Sequence, residues 1–468
     1  MANVLLLAGL GFGDEGKGAT CDFLCRKNSP DPTLVVRYGG GPQAAHNVVT
    51  PDGRHHTFSQ FGSGTFVPGT RTLLSRHMLV NPINMLAEER HLRALGVTDA
   101  FDRMLIEREA LVVNPFQIAA NRLRELARGV HRHGSCGQGV GEAKYDLIAT
   151  PETAINMGTV EEPGILRAKL DLCRQHKLGE FERVVRDLPR TEAVAREWHL
   201  LRDEGAVDAC VERLREVYRR VRVVDHHYLQ PELMTRRQLV VFEGAQGVLL
   251  DHAFGFFPYV THGDTTFKNA LDLMPDYYRD FRETIVKYGI LRAYSTRHGA
   301  GPFPTEDPDL KLPEPHNGNG PWQQGFRVGP LDLVLARYAV DVLRGVDGLV
   351  LNHLDHLGPS GAPQWLCVSY HTQMSHPRLI CHATRQAHKI EPHWSHSLGD
   401  RKTLTDAMWR ATPAYRRFQT RREWAQVIEN TLGASIIIEG HGPTSDDRHH
   451  RRQSVARISS QNSVGIGG

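Results

Sequence analysis

Short apolar runs recur along the chain at 3–9, 33–38, 239–243, 286–293, 347–353, 365–370 and 434–438. Runs of this length, rich in Val, Ile and Leu and bounded by turn residues, predict strands. Helical spacing of apolar positions fills the intervals. That alternation predicts an α/β fold, one large domain around a mostly parallel central sheet. Residues 81–96 are a well-punctuated helix: Asn81 can cap it, Pro82 sits in its first turn and Gly96 ends it, with Met85, Leu92 and Leu95 sharing a face. The Arg- and Glu-rich stretch 165–220 predicts two or three helices inserted on the sheet. The Pro/Gly/Asn stretch 301–330 reads as a loop long enough to be functional. Beyond residue 449 the chain is polar and Ser-rich, so the expected division is one large domain over 1–449 and a disordered tail over 450–468.

Composition narrows the function. Of 468 residues 40% are hydrophobic and 23% charged, and the net charge is +3 with the 26 histidines neutral. That balance argues against a nucleic-acid coat and against a membrane-surface protein. Every apolar run falls short of the roughly 20 residues a membrane span needs. The N-terminus lacks a basic leader and cleavage site, so a cytoplasmic protein is expected. Seven scattered cysteines do not make a disulfide framework. The Cys/His-rich stretch from Cys367 to His396 has irregular intervals rather than the short paired spacings of zinc sites. The run Arg448 to Arg452 reads as part of the solvated tail.

The sharpest chemical signal is Val4-Leu5-Leu6-Leu7-Ala8 feeding Gly9-Leu10-Gly11-Phe12-Gly13-Asp14-Glu15-Gly16-Lys17-Gly18. A strand running through glycines into a helix lets backbone N–H groups approach phosphate, and the helix N-terminus adds partial positive charge. Gly18 stands where a P-loop places Ser or Thr for magnesium. Asp14 lies among groups meant for phosphate, where a carboxylate is repelled unless it has a task. Two tasks fit, holding Mg²⁺ or taking a proton from the substrate.

This loop resembles that of the adenylosuccinate synthetase family, and the resemblance continues in order along nearly the whole chain. Val35-Val36-Arg37-Tyr38 leading to His46 is similar to a family motif. So are Phe242-Glu243-Gly244-Ala245-Gln246-Gly247, Pro258-Tyr259-Val260-Thr261, Ala293-Tyr294-Ser295-Thr296-Arg297 and Gly301-Pro302-Phe303-Pro304-Thr305-Glu306. The resemblance implies a ligase that phosphorylates a purine carbonyl oxygen from GTP (or ATP) with Mg²⁺ and lets an amine displace the phosphate. It implies Asp14, His46 and Gln246 as catalytic residues. Gly13, Glu15, Gly16, Lys17, Gly18, Asp355, Gly442 and Pro443 would bind the triphosphate. The metal would rest on Asp14 and the backbone of Ala45. Gln43, Ser135, Cys136, Gln246 and Thr261 would hold the acceptor, and Thr296, Arg297 and Arg327 the amine. A homodimer is implied too.

Departures from the family concentrate on the acceptor side. The Gly-Thr-Thr phosphate cradle is here Gly134-Ser135-Cys136, and a thiol is a poor donor. The family's cross-subunit Arg falls on the Arg-free stretch around Leu147-Ile148-Ala149. Its arginine-rich loop for aspartate keeps one arginine, Arg327, whereas two carboxylates ask for two guanidinium forks. Three readings follow. The chain is a divergent paralogue acting on a modified purine nucleotide or nucleoside, or with a non-standard amine. Alternatively it is an authentic adenylosuccinate synthase joining inosine monophosphate to L-aspartate, or a non-catalytic nucleotide-binding regulator. In a phage-borne relative type that aminates a guanine nucleotide the loop Asp is replaced; Asp14 argues against that version.

Overall fold

Alternation within the first apolar run decides how the centre of the molecule is built. In the strand Asn3–Gly9, Val4, Leu6 and Ala8 enter one hydrophobic core while Leu5 and Leu7 enter another on the opposite face. The strands Thr33–Arg37, Leu239–Glu243 and Gly348–Asn352 repeat the device, with Val35, Val241 and Val350 on the second face. A strand buried on both faces must be apolar throughout, which is why these runs lack polar alternation. The computed structural model describes residues 3–451 apart from 130–131, 133, 280–284, 316, 318–321, 323–324, 358–363, 373–375, 382–385 and 393–396.

Ten strands form the main sheet, in the order Arg448–His450, Ile436–Gly440, Gly348–Asn352, Ile285–Arg292, Asn3–Gly9, Leu239–Glu243, Thr33–Arg37, Arg71–Leu74, Met104–Glu107 and Arg222–Val224. All neighbours run parallel except the first two in that order. Six of the seven expected strands lie here. The seventh, Gln364–His371, belongs to a second sheet with Tyr294–His298, Phe326–Asp332 and Thr412–Phe418. The helix Pro82–Ala94 begins where the sequence places it, Asn84 N–H donating to the Asn81 side chain at 3.1 Å. The insertion resolves into three helices, Pro163–Arg186, Glu192–Arg202 and Gly205–Arg220, packed into a core they share with the helices Pro82–Ala94 and Pro115–Arg128 and the strands Arg71–Leu74 and Met104–Glu107.

Two expectations need correction. The stretch 301–330 is not loop throughout, because its last residues enter the strand Phe326–Asp332, antiparallel to Tyr294–His298. Gly329 and Pro330 disguised it, yet Gly329 is required: a Cβ there would lie 1.8 Å from the Thr305 carbonyl oxygen. The chain does not turn into tail at 450 either. Arg448–His450 pairs with Ile438–Gly440 and Arg448 is buried, so Arg448 is not part of a solvated tail, whereas His449 and His450 stay exposed. Residues 452–468, expected to be disordered, lie outside the described residues.

Parallel strands end at one common edge, and ligand sites of α/β sheets form there. The loop after Gly9, Glu243 with Gln246, Arg292, and Asn352 with Asp355 all follow strand ends at that edge.

Candidate active site

A cleft of about 1260 Å³ opens along this edge. Gly13, Asp14, Gly16, Lys17 and Gly18 form one wall, and Gln43, Ala45, His46, Ser135, Cys136, Gln246, Thr261, Arg297, Asp355, Gly442 and Pro443 also line it. Glu15, Thr296 and Arg327 do not.

Gly13, Asp14 and Gly16 all have positive φ, at 97°, 63° and 91°. Glycine adopts such a conformation freely and aspartate tolerates it, so the turn is tight and its N–H groups face inward. The Glu15 carboxylate lies within that turn, accepting from Gly11 N–H at 3.0 Å, Gly13 N–H at 2.8 Å and Lys17 Nζ at 2.5 Å. It is thus a buried brace of the loop. The helix Lys17–Asn28 starts at Gly16 without a side-chain cap, leaving its N-terminal donors for an anion.

Asp14 is held from two directions. Arg292 donates from Nε to the Asp14 carbonyl, and His298 Nε2 stands 3.4 Å from the Asp14 carboxylate. Mg²⁺ takes oxygen donors, commonly one or two carboxylates with phosphate oxygens. The Asp14 carboxylate, still 20% exposed, and the main chain at Ala45 both line the cleft and are oxygen donors of that kind. The residues fit a magnesium–triphosphate complex.

Packed against Gly18 at the end of the loop, His46 bonds through Nδ1 to Glu243 Oε1 at 2.6 Å, and both residues are buried. Ser63 donates to Glu243 through its hydroxyl and, at 3.1 Å, its N–H, while Arg37 lies 4.0 Å away. Burial alone would raise the Glu243 pKa, but the charges of Arg37 and His46 with these hydrogen bonds bring it down to about 2. Burial lowers the pKa of His46, against the pull of Glu243. With Nδ1–H given to a permanent carboxylate, the ring is fixed in orientation and Nε2 is left for the cleft.

The acceptor end is looser. Gln246 sits at φ 62° after the Glu243 strand, and the Gln43 side-chain oxygen is buried without a hydrogen-bond partner among the described residues. Ser135 accepts from Asn121 at 3.1 Å, and burial pushes the Cys136 thiol up to about 11, so it stays neutral. Arg124 also lines this end but is bound to Glu142 and Glu180 at 2.7 and 2.5 Å.

The residues expected to meet the amine are engaged elsewhere. Arg297 is 1% exposed and donates to the carbonyls of Ala300, Pro302 and Tyr259 while its guanidinium stacks on Phe12. Arg327 donates to the carbonyls of Gly299 and Gly301 and pairs with Glu306 at 2.8 Å. Thr296 is buried behind the phosphate loop, beside a cavity of about 30 Å³.

At the opposite end Asp355 is 37% exposed and faces Gly442, Pro443, His353 and Arg448. Nearby, Glu439, His441 and His449 share one hairpin face. Arg421 stands 3.2 Å from His441 and 3.6 Å from Glu439, so guanidinium already neutralises the carboxylate and the group is an ion-pair network. In the Cys/His-rich stretch, His382, His393 and His396 lie outside the described residues; Cys367 is buried in the core.

Sequence reasoning missed Glu243, Ser63, Arg37, Arg292, His298 and Arg448 as site residues. Glu243 and Arg37 carried a signal: each is a charge at the end of an otherwise apolar strand. Ser63, on a loop, carried none.

Comparison with known proteins places this geometry. The family model described as adenylosuccinate synthetase matches residues 6–449. Adenylosuccinate synthetase of Mycolicibacterium vanbaalenii is 29% identical over 462 residues, covering 97% of this chain and 99% of that protein. The Mycobacterium leprae protein of that name is 28% identical over 462 residues, covering 94% and 96%. The fully ligated adenylosuccinate synthetase of Plasmodium falciparum superposes with a TM-score of 0.72 at 19% identity, over 96% of this chain and 100% of that one. The succinoaminodeoxyadenylate synthetase of cyanophage S-2L, bound to dGMP and dATP, gives 0.52 at 19% identity over 96% and 95%. At such identities the two structures speak to the fold.

Proposed function

Because the chain belongs to the adenylosuccinate synthetase family and is a ligase that forms carbon–nitrogen bonds, we propose a divergent specificity within that chemistry. It phosphorylates a purine-type carbonyl oxygen with GTP and Mg²⁺, then couples the activated carbon to an amine other than L-aspartate. One observation carries this reading: Asp14, Lys17, His46 and Gln246 share one cleft, while Arg297 and Arg327 are committed to main-chain carbonyls.

A ring carbonyl oxygen cannot leave as oxide. Asp14 takes the proton from the adjacent ring N–H, so that negative charge collects on the oxygen and it attacks the γ-phosphate. Lys17 neutralises triphosphate charge, and His46, with Nδ1–H held by Glu243, takes a second proton beside the triphosphate and donates from Nε2–H to the transferring phosphoryl group. Gln246 orients the purine. Mg²⁺ bound by Asp14 and the Ala45 carbonyl would supply charge neutralisation at the phosphates. The amine then attacks the carbon, and phosphate departs with the former oxygen.

An authentic synthase joining inosine monophosphate to L-aspartate is the second reading, favoured by the names and near-complete coverage of the relatives. The cyanophage protein acts as a further contrast, and Asp14 argues against its type of acceptor handling. A silent regulator is disfavoured by the intact Asp14, His46 and Glu243 arrangement. We place the protein in the cytoplasm; among the described residues no helix is long and apolar enough to cross a membrane. We also propose a homodimer formed through the exposed Tyr145, Leu147 and Ile148, the last 82% exposed.

Phosphate release tests the proposal. Purified protein with GTP and Mg²⁺ is supplied with inosine monophosphate or other purines, each with L-aspartate or other amines. Turnover with inosine monophosphate and L-aspartate at a rate no other pair exceeds would overturn the divergent reading in favour of the authentic one.

A further inference from the structure

At the acceptor end of the cleft the positive charge is already spent. Arg124, which lines it, donates to Glu142 at 2.7 Å and to Glu180 at 2.5 Å. Lys177, buried behind it, lies 2.8 Å from Glu142, 2.6 Å from Asp146 and 3.5 Å from Glu180. Arg128 also lines this end and is held by Glu125. Four carboxylates thus share three cations. Burial by itself would raise the Glu142 pKa, but Arg124 and Lys177 hold it below its ordinary value, so it stays ionised. Arg132 and Lys144, close by in sequence, do not line the cleft. The helix Val140–Ala149 starts here without a side-chain cap, but Glu142 in its first turn offsets the positive charge of its N-terminus.

An acceptor's sugar can end here in a phosphate or in a hydroxyl, and the two meet this wall differently. A phosphate brings a charge of about −1.5 to −2 at neutral pH and oxygens that chiefly accept hydrogen bonds. A hydroxyl is neutral and both donates and accepts. The Glu180 carboxylate, 35% exposed, can only accept. It repels a phosphate, whereas a hydroxyl donates to it in a charge-assisted hydrogen bond. Arg124 beside it can donate to the same hydroxyl oxygen. Cys136, which with Ser135 stands in place of the family's phosphate cradle, is kept neutral by burial and adds no charge.

Resting on the phosphoryl-activation reading above, we infer that the acceptor is a 6-oxopurine nucleoside with a free 5′-hydroxyl, and that Glu180 accepts a hydrogen bond from that hydroxyl and turns the 5′-phosphate away. Nucleoside and nucleotide are thus told apart by one carboxylate at the far end of the cleft.

Acceptor-dependent phosphate release from GTP and Mg²⁺ by the full chain tests it. Inosine and guanosine are set against their 5′-monophosphates over one panel of amines that includes L-aspartate. Wild type should use the nucleosides with a kcat/KM about 10-fold or more above that of the nucleotides. E180Q and E180A should each shrink that preference by about 10-fold, raising use of the nucleotides as Arg124 is released and lowering use of the nucleosides. A merely structural role for Glu180 would move both acceptor forms together and leave their ratio fixed, so an unmoved ratio in both variants overturns the inference. Wild-type preference for the nucleotides, with whichever amine, would overturn it too and leave phosphoryl activation standing. Phosphate release with neither form of acceptor would instead sink the phosphoryl-activation reading itself.

Discussion

Around His46 the polar groups are closed on one another: Glu243 takes His46, Ser63 and Arg37 together in a fully buried cluster. At the acceptor and amine end the corresponding cations are spent on carbonyls and on local carboxylates, Arg297 and Arg327 on the former and Arg124 on Glu142 and Glu180. The first region is organised in advance for a charge that develops at a fixed place. In the second, Arg297 and Arg327 offer no free fork to a dicarboxylate amine. On the proposed divergent specificity, phosphoryl transfer and amine choice are separable, the former constrained by burial and the latter open to change.

Replacing Asp14 by Ala is the severest way to break that contrast. Turnover on the true substrate should fall by about 10²–10⁴-fold, measured as acceptor-dependent phosphate release. Near wild-type turnover would remove the proton-abstraction step altogether.

E243Q comes next. The variant frees His46 and leaves the buried Arg37 charge uncompensated, so turnover should drop on the order of 100-fold and stability by about 3–5 kcal/mol, read from denaturant unfolding. The pH dependence has a definite sign. The Glu243 pKa is depressed from 4.5 to about 2, so its contribution to stability is complete above about 4.5 and is lost as pH falls toward 2. The variant should flatten that part of the acid limb.

A gentler test sharpens the acceptor side. C136T restores a hydroxyl donor, and a 5′-phosphorylated acceptor should then bind roughly tenfold more tightly, by titration calorimetry. An unphosphorylated nucleoside should be indifferent to it. The smallest kinetic effect is expected of R327M: a lower melting temperature, since two carbonyls and Glu306 lose their donor, and an unchanged KM for the amine. A raised KM at constant melting temperature would return Arg327 to the amine site and dissolve the contrast.

Much of this was legible in the sequence because it is local. The phosphate loop is a strand, a glycine turn and a helix in one stretch, and each apolar run of the main sheet announces itself. Orientation was less legible. Glu15 sits in a phosphate-binding string yet turns inward, since Gly11 and Gly13 N–H groups reach its carboxylate first. Thr296 belongs to a matching motif but, next to Arg297 on one strand, points to the opposite face and so away from the cleft, a matter of register that residue type does not encode. Arg327 pairs with Arg297 across the hairpin and is held by the Gly299 and Gly301 carbonyls. Long-range partnerships were hidden altogether. His46 and Glu243 are 197 residues apart, and only the parallel order of the sheet brings them together. Arg448 looked like one cation in a basic tail because the pairing that buries it depends on Ile436–Gly440.

The central position of the first strand has a consequence for biosynthesis. Asn3–Gly9 can pair only with Leu239–Glu243 and Ile285–Arg292, both made far later. At about 5–20 residues per second the ribosome needs roughly 15–60 s to reach the second of them. Throughout that interval the apolar segment Asn3–Gly9 has no sheet to join. It must be shielded by chaperones or by provisional collapse, and slowing translation before residue 292 should raise the yield of aggregate rather than of folded protein.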